Sequence, residues 1–372
     1  MYNQQDLDEA VVAGAIDATA AASLRNFLDG DRMAPAVDEE QFRLVTSFND
    51  IFVSIACIIL LFAVAWIGEA LGQAAGLIVV GAGSPGGPSP LGPAAVAATA
   101  WGLALFFTGK RRMALPSIIL LLAFVGGVFA TAALSIMLSF GTTRFDNAIL
   151  APSLVVAAAA LIAAGSAYFH WSRFHVPITV AAGTAAIAGL LFALVAAALG
   201  DQGDMTRSFM LGAVLVLGIA VFLFAMRWDA SDPARTTRRS DVAFWLHLLA
   251  APMIVHPVFT LLGLNDGNAT IGEGLVVVLL YVALAIAALA IDRRALLVSA
   301  LAYVLYALTD VFEEIGAVGL SVAFTALVIG SALLLLSAYW HQARRLIVVR
   351  LPRALQGRLP LLDRVPTLQP AA

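Results

Sequence analysis

The chain has 372 residues, of which 61% are hydrophobic and only 12% charged. A soluble domain is closer to about 45–50% apolar and about 25% charged, so a soluble globular protein is excluded. The net charge of −3 says little by itself, but the placement of the charges is informative. Several apolar runs exceed the roughly 20 residues that a helix needs to cross a bilayer. The alternating segments of a β-barrel are not visible. The expected class is an all-α polytopic membrane protein.

Residues 1–48 read as a small cytoplasmic helical module with a juxtamembrane segment. "DLDEAVVAGAIDATAAASLRNFLDG" predicts two short helices: one over about Asp6–Ala13 that stops near Gly14, and one capped by Asp17 that ends at Gly30. Leu7, Val11, Ile16, Leu24, Phe27 and Leu28 would pack between these helices or onto the membrane body, and Asp31–Asp38 reads as a linker. These 48 residues are polar, and the first apolar run is too long for a signal-peptide core. That run is therefore expected to stay in the membrane as an anchor.

Ten spans follow by hydropathy, at about 50–68, 92–109, 114–139, 148–169, 176–199, 206–226, 241–263, 272–291, 295–309 and 316–340. "GAGSPGGPSPLGP" between the first two is an irregular loop by its glycine and proline density. Cys57, the one cysteine, lies within the first span as a small apolar residue. With the N-terminus inside, nineteen of the 21 Lys and Arg residues fall on the cytoplasmic side, leaving only Arg144 and Arg207 outside. This bias places both ends of the chain in the cytoplasm. Trp171, Trp228, Trp245 and Trp340 fall at the same interface, as an aromatic belt would. The ten-helix domain is then 49–341, followed by a basic tail, 342–372, whose "RRLIVVRLPRALQGRL" suits the anionic inner leaflet. Two cytoplasmic turns, "KRRMALPS" and "DRRALLVS", share a form. Either a duplicated hairpin or the common demands of short positive turns accounts for it.

The polar residues inside the spans are few. "FWLHLLAAPMIVHP" in the seventh span carries His247, Pro252, His256 and Pro257. The histidines are nine residues apart, about 13.5 Å along a helix and on opposite faces, so they do not form a chelating pair. Each proline frees the carbonyl four residues earlier, that of Leu248 or Met253, which in lipid needs another partner. A bend is expected here. The histidines then either make interhelical hydrogen bonds or line a polar cavity as proton carriers. Near the opposite face stand Glu273 and the trio Asp310, Glu313 and Glu314, either a solvated rim or a hard-oxygen cation site. Asn49 and Asp50 would cap the first span. Gly126, Gly127, Gly183, Gly189, Gly212 and Gly218 permit close helix packing.

No Walker loop, zinc pattern, nucleophile elbow or kinase signature appears, so no enzyme activity and no cofactor are expected, and the sequence leaves a metal open. The leading functional expectation is a small-solute or ion transporter, or a proton-linked permease. The alternative is a non-catalytic membrane scaffold or sensor that engages a protein partner through its N-terminal module. Lipid is the expected surrounding and nucleic acid is not expected. "LDEAVVAGAIDATAAASLRNFL", "DEEQFRLVTSFNDIFV", "DVAFWLHLLAAPMIVHP" and "YWHQARR" give a layout that resembles a domain-of-unknown-function family of bacterial inner-membrane proteins. The resemblance implies a short helical segment before a multi-span body in the bacterial cytoplasmic membrane, and carries over no functional residues.

Overall fold

The computed structural model describes residues 11–14, 16–23, 48–80, 86–140, 150–200, 203–233, 235, 237–262, 271–314, 319–357, 359, 360 and 362. The chain divides into two units, Met1–Arg43 and Leu44–Ala372. In the first, residues 18–23 are helical. Asp17 caps them: its Oδ1 accepts the Ala20 N–H at 2.6 Å and the Thr19 hydroxyl at 2.6 Å. These bonds, the Thr19 hydroxyl first, hold the Asp17 carboxyl below its usual range. Gly14 has φ +70°, the left-handed conformation that stops the preceding turn. Leu7, Leu24, Phe27 and Leu28 lie outside the described residues.

The second unit holds ten long helices in chain order: α1 Phe48–Ala74, α2 Leu91–Phe107, α3 Ala114–Phe140, α4 Leu150–Phe174, α5 Ile178–Leu199, α6 Asp204–Ala230, α7 Arg238–Leu261, α8 Ile271–Ile291, α9 Ala295–Glu314 and α10 Ser321–Ala338. They coincide with the ten apolar runs of the sequence. Eight are long and apolar enough to cross a membrane, and α2, at 17 residues, is a shorter apolar helix. The described residues contain no strand. The outer faces carry large exposed apolar side chains, among them Phe62, Trp66, Leu161, Leu223 and Leu334. The chain is thus an all-α polytopic integral membrane protein. Two short helices follow, α11 Trp340–Val348 and α12 Arg353–Gln356.

Most consecutive helices pack as neighbours, and α7 touches α5, α6 and α9. Half of its apolar window is buried, against 17–33% in the other seven candidate spans. One of its faces packs Val242, Leu246 and Ala250 against Val221 and Ala225 of α6 and Ala181 of α5. Another packs Val255 and Phe259 against Val277 of α8 and Val304 of α9. Lipid tails are as apolar as these side chains, so such helices associate through close packing and interhelical hydrogen bonds. Small residues do the former here: Ala225, Ala243, Ala250 and Ala251 are fully buried. Of the glycines singled out in the sequence, Gly127, Gly183 and Gly218 face a neighbouring helix closely, whereas Gly126, Gly189 and Gly212 face open space. The hydropathy pattern does not separate these two groups.

The turns α2–α3, α4–α5, α6–α7 and α8–α9 lie at the Arg-rich ends of the helices. Each contains one non-glycine residue in the left-handed region: Arg112, His175, Arg235 and Asp292, with φ from 53° to 56°. At α8 the Arg293 N–H bonds the Ala288 carbonyl at 2.9 Å and the Asp292 N–H bonds that of Leu289 at 3.3 Å. This is the paired closure of a Schellman motif with Asp292 in the left-handed position, where aspartate is among the better-tolerated residues.

Candidate functional site

The turn at α8 sets up the most polar buried site of the described residues. Arg293 is 3% exposed and reaches between α6 and α7. Its guanidinium bonds both carboxylate oxygens of Asp229, near the end of α6, and its Nη2 donates to the Ser240 carbonyl at 3.0 Å. His247 of α7 meets the same carboxylate: Nε2–H donates to Asp229 Oδ2 at 2.9 Å. The side chains of Asp229 and His247 are fully buried. The other ring nitrogen of His247, Nδ1, is buried with no hydrogen-bond partner among the described residues. Phe222 of α6 stands edge-on to the imidazole at 5.2 Å.

A second ion cluster adjoins the first. Arg235, in the α6–α7 turn, donates to Asp292 Oδ2 at 2.8 Å and to the carbonyls of Ile291 and Asp292 at 3.1 and 3.0 Å. The turn that aims Arg235 is built by Asp232, whose carboxylate accepts the Thr237 N–H at 2.9 Å and hydroxyl at 2.7 Å. Thr237 in turn caps α7 by accepting the Arg239 N–H. Asp292 Oδ1 accepts the Trp340 indole N–H at 2.7 Å, and Arg344 lies 3.8 Å from the same oxygen. Burial opposes ionisation of Asp292. Arg235 foremost, then Arg344, the Trp340 indole and Arg293, outweigh it and hold the carboxyl below its usual value of 3.8. Arg344 also donates to the Pro360 carbonyl at 2.6 Å. Trp340, Val348 and Leu359 are buried with Leu289, Ile291 and Ala251.

Two sequence expectations change here. Trp340 is 4% exposed and hydrogen-bonded inward, so it is not part of an interfacial belt. The tail is not merely draped on lipid: its Trp340–Arg344–Val348 face docks on the helix ends. Arg345, Leu346, Val349 and Arg350 form the outward face, both basic and apolar, that remains for a membrane surface.

His256 makes a separate contact. It is exposed on α7, and its Nδ1 shares a 2.6 Å hydrogen bond with the Tyr303 hydroxyl of α9. The Tyr303 ring stacks on Phe259 at 4.8 Å. The two histidines of α7 therefore bond different helices, α6 and α9, as their half-turn offset requires. Both prolines lie within a continuous helix; Pro252 is exposed and Pro257 is buried. Pro257 offers no N–H to the Met253 carbonyl. Gly218 of α6 lies against that carbonyl, where an added Cβ would sit 2.9 Å from its oxygen and 2.9 Å from its carbon. The carbonyl freed by Pro257 thus faces protein.

At the far ends of the helices, Glu313 is exposed and its Oε1 accepts the Ser321 hydroxyl at 3.0 Å. Glu273 is half-buried in the first turn of α8. Asp310 and Glu314 stand on α9, but their side chains lie outside the described residues. No group of three His, Cys, Asp or Glu among the described residues is arranged to hold a metal.

The sequence reading named His247 but not its partners Asp229 and Arg293, nor the Arg235–Asp292 pair. It also passed over His170, which is fully buried beside Trp101, Phe124 and Phe174 with its Nδ1 3.2 Å from the Thr179 hydroxyl. No family model matches the chain, and no curated protein or solved structure matches it.

Proposed function

We propose that the protein is a small-solute or ion permease linked to proton movement, in which Asp229, His247 and Arg293 close the Arg-rich end of the helix bundle. One observation carries this reading: a fully buried carboxylate near the end of a membrane helix is shared between an arginine and a histidine on the most buried helix of the bundle. Ionisable groups buried inside a membrane helix bundle are costly and are candidates for transport or proton pathways. A shared carboxylate gives the site two arrangements, depending on which cation it holds. The charged groups acting on His247 are Asp229, Arg293 and Arg235. A proton arriving at the histidine strengthens its claim on Asp229 against that of Arg293. Loosening Arg293 leaves Arg235 to hold the α8–α9 turn to the α6–α7 turn. The reading is non-enzymatic. It includes the bacterial cytoplasmic membrane with both chain ends inside, supported by the nineteen-to-two distribution of the 21 Lys and Arg residues, and membership of the inner-membrane family that the sequence resembles.

The test is electrophysiology on proteoliposomes over a solid support. Amino acids, sugars, monocarboxylates and monovalent cations are presented in turn under an imposed pH gradient. The expected result is a pH-dependent current for one class that Asp229→Asn abolishes in folded protein. Silence across all four classes from folded wild type would refute the reading.

A second reading, a scaffold or sensor, is favoured by the division of Met1–Arg43 as a compact unit of its own. Deleting residues 1–36 should then leave the membrane body stable in mild detergent while abolishing capture of a protein partner. Unchanged transport by the same truncation would separate the two readings.

A further inference from the structure

A groove of about 150 Å³ opens on the side of the bundle between α8, α9, α10 and α11. Its walls include Leu297, Val298 and Leu301 of α9 and Leu333 and Leu336 of α10. At its Arg-rich end stand Arg294 and Trp340, the guanidinium lying over the indole at 4.9 Å. Leu301 and Leu333 are each seven residues from these two, about 10 Å deeper along their helices at 1.5 Å per residue. The groove therefore runs from a cationic mouth into an apolar slot whose outer edge faces lipid: Val298 is 65% exposed and Leu334, next to the lining Leu333, is 74% exposed.

We propose that this groove holds one anionic phospholipid, its phosphate against Arg294 and one acyl chain along α9 and α10. Charge complementarity selects the occupant. An aqueous solute would gain nothing from five aliphatic walls, and a zwitterionic lipid, whose phosphate carries its own ammonium counter-charge, would gain the walls but less from the arginine. A basic pocket between membrane helices at the Arg-rich face has the chemistry that retains anionic headgroups. The cation–π contact of Arg294 with Trp340, itself fixed by Asp292, holds the guanidinium at the mouth. The lipid would then contact α9, α10 and α11 together and bind the tail helix to the bundle. This assignment is independent of the transport reading.

The experiment is native mass spectrometry of the full chain, released from mixed micelles with equal amounts of phosphatidylglycerol and phosphatidylcholine. Wild type should retain phosphatidylglycerol about fivefold over phosphatidylcholine, the ratio corresponding to about 1 kcal/mol per basic residue near a membrane surface. Arg294→Gln should bring the ratio close to one. Val298→Trp, at a position exposed enough to accept the larger ring, should fill the slot and reduce retention of both lipids. Arg345→Gln, on the outward face of α11, should leave the ratio unchanged. Equal losses in Arg294→Gln and Arg345→Gln would show a general surface attraction and overturn the proposal. So would a ratio near one in wild type, full retention in Val298→Trp, or displacement of the lipid by inorganic phosphate alone. If Arg294→Gln fails to fold, Val298→Trp and the phosphate competition decide the question.

Discussion

Asp229→Asn is the most informative single change. In the wild type the carboxylate side chain is fully buried, and Arg293, 4% exposed, shares it with His247. Asparagine keeps the shape and one acceptor oxygen but removes the charge, leaving the guanidinium of Arg293 buried without the carboxylate that it bonds. Removing one member of a buried ion pair costs about 3–5 kcal/mol. Solvent screening does not reduce this figure appreciably, because neither side chain is more than 4% exposed. Arg293→Met alone strands Asp229 with His247 and should cost a similar amount. The double change Asp229→Asn with Arg293→Met removes both charges, and paired removal is often nearly neutral. The double variant should therefore be more stable than the sum of the singles implies by several kcal/mol, at or above the roughly 3 kcal/mol upper end usual for residues in contact. The assay is reversible unfolding in mixed detergent micelles, read by tryptophan fluorescence. Additive effects, or a cost below about 1 kcal/mol for Asp229→Asn, would refute the account of these residues as one buried charge unit.

Gly218→Ala should destabilise by about 1–3 kcal/mol, since the new methyl meets the Met253 backbone at 2.9 Å; the same change at Gly212, which faces open space, serves as a control that should not weaken unfolding resistance. Asp292 ionises more readily in the folded protein, below its ordinary 3.8, so its contribution is full above that value and is lost as the pH falls through the lowered one. The stability gap between wild type and Asp292→Asn should thus be constant from pH 5 to 8 and close in stronger acid, and a gap that widens in acid would contradict the assignment. His256→Gln should keep a bond to Tyr303 and near-normal stability, whereas His256→Leu should lose roughly 0.6–2 kcal/mol in the same unfolding assay. In a Cys57→Ser background, single cysteines at Gly86, exposed with open space for a side chain, and at Gly267 should react with an impermeant thiol reagent added outside cells, and those at Thr236 and Gln356 should not; the opposite pattern would reverse the orientation inferred from charge.

The helices were legible because each apolar run is long and its interruptions are sharp: "GKRRMALP" and "AIDRRALL" mark turns without ambiguity. That the seventh run differs from the others was also legible from His247, Pro252, His256 and Pro257, and it is the most buried of the candidate spans. What could not be read was which residues those groups meet. Arg293 pairs with Asp229 across 64 positions, and Arg235 with Asp292 across 57. Nothing local sets that register; it depends on how far α6, α7 and α8 slide past one another. In sequence Arg235 and Arg293 are indistinguishable from the solvated arginines that set topology, and they serve the charge count equally well whether exposed or buried. One signal was available in retrospect. Asp229, Asp232 and Asp292 stand among the arginines of that face, and an acid placed beside a positive turn has a nearby cation to meet.

The bond from Trp340 to Asp292 spans 48 residues, and it has a consequence for how the protein is made. At about 5–20 residues per second, the α8–α9 turn emerges roughly 2–10 s before the indole that completes its hydrogen bonding. Throughout that interval Arg235 and Asp292 face water or translocation machinery without the cover that α11 later supplies. The bundle is therefore born open at one end, and the tail helix acts as a late-arriving plug. A fusion partner placed at Ala338 would leave that end uncovered permanently, while one joined beyond Leu362 would not.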